Sequence, residues 1–141
     1  MNRLIANRWQ TPDGTILWSK HTHDMVCHRD KNGELYFTDG GNEYVRRSLN
    51  LLAPMKNLCV YTNGTFELER EWVLWGRNYD KDMNRLKETQ WIPIKDLDTD
   101  HIYKILEIDG IANSYRRLME EEIIYREEQI LKSYEQRRKS K

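Results

Sequence analysis

The pattern of apolar and polar positions changes character near residue 95. Before it, short runs rich in β-branched and aromatic residues are broken by turn clusters, the signature of strands. Residues 11-TPDGT-15 read as a turn, with Pro12, Asp13 and Gly14 supplying the geometry. Two strand-like runs follow, 16-ILWSK-20 and 23-HDMVCHR-29, then the turn 30-DKNG-33 and the run 34-ELYFTDG-40. Asp-Lys-Asn-Gly between β-prone runs predicts a hairpin. Gly40–Gly41 permits a sharp redirection before 44-YVRRS-48, and Pro54 sets off the next segment. In 57-NLCVYTNGTFELEREWVLWG-76, Asn-Gly has apolar and aromatic residues on both sides, which predicts a further hairpin. Residues 77-RNYDKDMNRLKETQ-90 are polar and read as a loop with at most a short helical turn. Residues 91-WIPI-94 read as extended, because Pro93 does not fit a helix interior.

After residue 95 the spacing turns helical. In 96-DLDTDHIYKILE-107, Asp98 or Thr99 can cap a short helix whose apolar positions Ile102, Ile105 and Leu106 recur every three or four residues. Gly110 ends it. A second helix starts near Asn113 or Ser114 and runs past Tyr134. Tyr115, Leu118, Met119, Glu122, Ile123, Arg126 and Ile130 form one stripe along it. About twenty-five residues span roughly 37 Å, more than one small sheet needs for cover, so part of this helix is expected to pack on another subunit. The alternative is a solvated tail after Arg126. The fold class expected is α+β, an antiparallel β-sheet with two C-terminal α-helices, in an oligomer. One domain covers 1–141, with 1–95 mainly antiparallel β and 96–141 helical.

Composition narrows the function classes. The 141 residues carry 23 Lys+Arg and 23 Asp+Glu, so a long nucleic acid or a membrane surface is not the expected partner. Five Trp and eight Tyr give material for core, for stacking and for interfaces. The two cysteines, Cys27 and Cys59, form no motif, and there is no leader-like or membrane-spanning run. A cytoplasmic setting with free thiols is expected.

The stretch 19-SKHTHDMVCH-28 is the densest cluster of reactive side chains. It approximates the H-x-H-x-D-H signature of metallo-β-lactamase-like hydrolases but has Met25 and Val26 where that signature needs Asp and His. If 19–29 is a strand, His21, His23 and Cys27 share one face, and Asp24 and His28 the other. A three-ligand zinc site from His21, His23 and Cys27 competes with a strand whose histidines bond to neighbours or line a pocket. Nucleotide-loop, nucleophile-elbow and H-E-x-x-H motifs are absent. Cys27 beside a histidine reads as a structural thiol, and 120-EEE-122 as a solvated face.

A second inventory points to binding. Arg46 and Arg47 follow the Gly-Gly turn, Trp72, Trp75 and Arg77 cluster near 75, and Trp91 precedes Pro93. Arg116, Arg117 and Arg126 ride the last helix. Guanidinium forks hold phosphates and indoles stack on bases, so the set suits an anionic ligand carrying a base. The competing reading is core packing for each Trp and a surface ion pair for each Arg.

The segments 19-SKHTHD-24, 39-DGGNEYVRRS-48, 74-LWG-76 and 91-WIPI-94, followed by His101, are similar in order to a group of small phage proteins. These carry S-x-H-x-H-D, D-G-G-x-x-Y-x-R-R, an aromatic W-G and an aromatic-x-P-x element before a two-helix end. The chain thus resembles, over about residues 11 to 126, the first-described Thoeris anti-defence family. Its members are phage sponges that capture nucleotide signals made by bacterial TIR-domain immune enzymes.

The resemblance implies a non-enzymatic protein of the host cytoplasm, without cofactor or metal, that binds cyclic ADP-ribose isomers uncleaved. Some members also hold cyclic oligonucleotides at a second place in a hexamer built from dimers. Ligand contacts are implied for an aromatic on the base, here Trp75 or Trp91, and for Arg116, Arg117 or Arg126 on the pyrophosphate. Arg77, His101, His21 and His23 complete the expected set. Relatives often have arginine inside or just after the H-x-H-D element, where this chain has Thr22 and Val26. That departure implies one lost contact or one lost site. A phage inhibitor that docks on a host enzyme and a small metal-dependent hydrolase built on His21 and His23 are the competing functions.

Overall fold

The structure, a computed structural model, describes residues 2–139. Met1 and the last two residues of the charged tail, Ser140 and Lys141, lie outside the described residues. The opening stretch Arg3–Gln10, for which the pattern offered no element, is the central strand β1. Its partner β2 (Ile16–Ser19) returns through the 11–15 turn, with Arg8 opposite Trp18 and Gln10 opposite Ile16. A second antiparallel sheet joins β3 (Val26–Arg29), β4 (Leu35–Asp39) and the two-residue β5 (Arg46–Arg47). Short β6 (Lys56–Asn57) pairs with the end of β1, and β7 (Val60–Thr62) with its beginning. Trp9, Leu17, Tyr36 and Met55 fill the core of this β half.

Two expectations are corrected. Residues 57–76 are not a hairpin: after β7, Phe66–Trp72 form helix α1. Glu, Leu and Arg in 66-FELEREW-72 favour a helix, and β7 already has a partner in β1, so Asn63-Gly64 turns the chain into α1 instead. Residues 77–90 are not a loop: β8 (Leu74–Tyr79) and β9 (Arg85–Pro93) form an antiparallel ribbon. Its turn is held by the Asp80 carboxylate, which accepts from the amides of Asp82 and Asn84 at 2.9 Å each. Met83 takes the left-handed conformation (φ 64°) that a glycine would have advertised. Pairing of 74–79 with 85–93 also puts 91-WIPI-94 in extended structure up to Pro93, as expected.

The helical end follows the expected spacing. A single 3₁₀ turn (Ile94–Asp96) leads to α2 (Thr99–Leu106), and α3 spans Asn113–Lys139. Ile94, Leu97, Ile102, Ile105, Leu118 and Met119 make the second core, against Trp75 and Tyr115. Burying each such aliphatic side chain contributes roughly 1.5–3 kcal/mol. Glu122 of α3, expected with its neighbours on a solvated face, is instead fully buried, and its carboxylate accepts from Arg70 (2.7 and 3.0 Å) and Arg126 (2.8 Å). From Glu127 to Lys139, α3 is exposed. The architecture is therefore α+β, with antiparallel sheets and, among the described residues, three α-helices, two of them C-terminal. No helix among the described residues is long and apolar enough to cross a membrane.

Candidate functional site

The H-T-H segment is not a strand face. Strand β3 begins only at Val26, and residues 20–25 form a loop, so His21, His23 and Cys27 do not share a β face. The loop is tied by its own polar groups. Buried Ser19 donates to the Asp24 carbonyl (2.6 Å) and accepts from the Gly41 amide (2.9 Å). The Lys20 amide donates to the Asp24 carboxylate at 2.8 Å. Gly41 (φ 56°) presses against it: a Cβ there would stand 2.3 Å from the His21 carbonyl carbon. Only glycine allows that approach. Buried Asn7 anchors the same turn, donating to the carbonyls of Asp39 (2.8 Å) and Tyr44 (3.3 Å) and accepting from Trp9 and Thr38. Thus Ser19–Asp24 and Asp39–Tyr44, distant in sequence, become one rigid rim.

The rim borders a hollow of about 210 Å³. Lys20, His21, Thr22 and Asn42 supply its polar lining, and Trp18, Trp91 and Tyr115 its aromatic lining. The His21 ring stacks on Trp91, centroids 5.3 Å apart and planes 22° off parallel. Gly76 makes room for that indole; a Cβ there would lie 3.0 Å from its Cζ3. Trp91 and Tyr115 also line an adjoining hollow of about 240 Å³ with Trp75, Asn78 and Thr89. Tyr115 is held in place by donating to the Leu74 carbonyl (3.0 Å), and its ring meets Trp75 edge-on at 5.3 Å. Burial pushes the Tyr115 phenol up, so it stays a neutral donor.

The other expected residues divide sharply. Trp91 and His21 stand at the hollow, and Trp75 at the adjoining one. His23 is exposed and lines neither. Half-buried Arg77 has an Nε shielded from water without a hydrogen-bond partner. Burial, and then the Arg77 charge, hold the half-buried His101 imidazole below its usual pKa. Arg116 closes the end of α2, donating to the carbonyls of Leu106 (3.1 Å) and Ile108 (3.3 Å). Arg126 grips Glu122, Thr99 and the carbonyls of Ile94 and Lys95. Arg117 is exposed and reaches Glu121 at 3.5 Å. The structure therefore does not bring the helix arginines to the hollow. Among the described residues, no group of three or more His, Cys, Asp and Glu is placed to hold a metal ion.

Trp18, Lys20, Asn42 and Tyr115 at the hollow were not among the expected site residues. One signal was available. Reading 11-TPDGT-15 as the turn of a hairpin pairs the preceding run with 16–19 and turns Trp18 and Lys20 to one face. Stacking surfaces beside a lysine suit recognition of a planar, negatively charged molecule.

What the fold and the hollow define is a small α+β protein with an aromatic, cationic recess between its β half and the β8–β9 ribbon. No family model matches the chain, and no curated protein or solved structure matches it.

Proposed function

We propose that the protein captures a small anionic nucleotide and holds it without breaking a bond. The observation that carries this reading is the His21–Trp91 stack at the mouth of a hollow edged by Lys20. Its components come from the segments through which the chain resembles the Thoeris anti-defence sponges. The ligand proposed is accordingly a cyclic nucleotide immune signal, a cyclic ADP-ribose isomer first and a cyclic oligonucleotide second, sequestered by a phage protein in the host cytoplasm. Capture by titration needs affinity and no general base; at ~nanomolar Kd it corresponds to about 12 kcal/mol. Each hollow is smaller than the roughly 300–1,000 Å³ usual for small-molecule sites. A second copy of the chain, covering the recess, supplies the missing enclosure in this reading. The exposed end of α3, with Ile130, Leu131 and Tyr134, is the surface available for such assembly.

The test is capture and release. Protein is incubated with a cyclic ADP-ribose isomer, freed of unbound ligand and heat-denatured, and the released material is chromatographed. Recovery of intact ligand in stoichiometric amount is expected. A cleaved product, or no retained ligand, would overturn the proposal.

One observation favours docking on a host protein as the second reading. Leu51 and Leu52 are 85% and 102% exposed on a loop that Asn50 pins by donating to Glu34 (2.6 Å) and the Leu35 carbonyl (2.9 Å). Rigidly presented leucines suit a socket on a partner. Absence of thermal stabilisation by any cyclic nucleotide at high concentration would favour this reading.

A further inference from the structure

The recess offers stacking, but a nucleotide also brings phosphates, and the helix arginines are not there to meet them. Arg116 and Arg126 are engaged with backbone carbonyls and Glu122. Two other cations stand on the β1–β2 side: Lys20 lines the recess, and Arg8 lies beside its Trp18 wall without lining the hollow. Arg8 lies directly opposite Trp18 in the ladder, and Lys20 follows Trp18 by two residues. Lys20 Nζ is 5.0 Å from the Trp18 ring centre, and Arg8 Cζ is 5.8 Å from it. Arg8 also lies over Trp72 of α1 at 4.5 Å, and the two indoles meet edge-on at 5.6 Å. One indole is thus shared by two positive charges, and a second backs the guanidinium.

Neither Arg8 nor Lys20 forms an ion pair among the described residues. Arg8 Nε is shielded from water and has no hydrogen-bond partner. Aromatic faces orient a guanidinium but do not accept its strong hydrogen bonds, so the terminal N–H groups of Arg8, beyond the shielded Nε, are the ones open to an acceptor. A phosphate supplies several acceptor oxygens together with opposite charge. Trp18 and Lys20 line the same hollow as Trp91, and Arg8 adjoins it through the Trp18 ring.

We infer that Arg8 and Lys20 are the phosphate-binding residues of this protein. They hold the ligand's phosphate beside Trp18, while its base is stacked at the His21–Trp91 end. The inference rests on the nucleotide-capture reading and names the residues that meet the phosphates of its ligand. It also offers a substitute for the contact that Thr22 and Val26 remove.

The test compares ADP, adenosine and inorganic pyrophosphate on the full chain, by calorimetry and by the arginine Nε–H resonances in NMR spectra. ADP is expected to bind at least tenfold tighter than adenosine, and pyrophosphate to shift the Arg8 Nε–H signal, assigned by its loss in Arg8→Gln. Lys20→Gln and Arg8→Gln should each weaken ADP about tenfold or more and leave adenosine unchanged. Should Arg8→Gln fail to fold, Lys20→Gln decides alone, since Lys20 follows the end of β2 and belongs to neither core cluster. Equal binding of ADP and adenosine, or ADP binding untouched by Lys20→Gln, would overturn the assignment and leave nucleotide capture standing. Failure of both ADP and adenosine to bind would overturn the assignment, while the capture-and-release test with a cyclic ADP-ribose isomer decides nucleotide capture separately.

Discussion

Replacing Glu122 by glutamine tests whether Arg126 serves the fold or a ligand. The Glu122 side chain is fully buried, and its two oxygens accept three charge-assisted hydrogen bonds, at 2.7, 3.0 and 2.8 Å. Glutamine keeps the shape but offers one acceptor oxygen, and its amide hydrogens face guanidinium donors. Arg70 and Arg126 would then be left without a counter-charge, though each side chain remains about a fifth exposed (20% and 18%). Breaking a buried ion pair from one side costs roughly 3–5 kcal/mol; partial exposure of both arginines places this case at the lower end, about 3 kcal/mol. For a chain of this size that corresponds to a fall in Tm of about 10 °C. Thermal unfolding followed by circular dichroism gives the number, with Glu122→Gln/Arg70→Met as the second variant. The double variant should recover part of the loss, because it removes one of the stranded charges. A Tm within 2 °C of the parent for Glu122→Gln would refute the reasoning, and would free Arg126 for a role at a ligand.

Trp91→Ala and His21→Ala should each weaken nucleotide binding about tenfold or more, in line with the 1–3 kcal/mol of a lost stacking partner, without changing the far-ultraviolet spectrum. Calorimetry checks this, and unchanged affinity in both would remove the stack from the site. The acid limb of stability should depend on Asp13. Its carboxyl is held well below the usual carboxylate range by hydrogen bonds from Thr11, then His28 (2.7 Å), then Thr15. A carboxylate with a lowered folded-state pKa stabilises the fold above its unfolded pKa near 4 and loses that effect as pH falls towards the folded value. The Tm gap between the parent and Asp13→Asn should therefore be full at pH 6 and narrow progressively below about pH 4. A gap that is constant from pH 6 to pH 2.5 would contradict the assignment.

The two C-terminal helices were legible because their apolar positions recur at helical spacing and because Ile102, Ile105, Leu118 and Met119 are the residues that the core takes up. Strands β2 to β4 were legible because glycine, proline and asparagine punctuate them. Stretches whose form depends on a distant partner were not. Strand β1 carries no alternation, since Ile5, Ala6 and Asn7 are all buried in succession between neighbours on several sides. The distal part of the β8–β9 ribbon, residues 78–90, is mostly exposed and polar, so it has no apolar period to read. Asn-Gly at 63–64 offered a hairpin locally, but β1 claimed β7 and left 66–72 free to coil into α1.

The site divides in the same way. Residue chemistry alone marked Trp91, Trp75 and His21 as candidates, because aromatic rings and an imidazole are suited to stacking wherever they stand. Which of them meet was decided by tertiary structure: His21 and Trp91 are seventy positions apart in the chain and touch only because Gly41 and Gly76 let backbone and ring approach. The fate of the arginines was decided there too. The i,i+4 spacing of Glu122 and Arg126 hinted at their pairing, but nothing in a one-dimensional pattern shows Arg70 completing it or Arg8 poised over two indoles. Local sequence determines what each side chain can do; the long-range register of strands and helices determines which partners it finds, and hence which charges remain for a ligand.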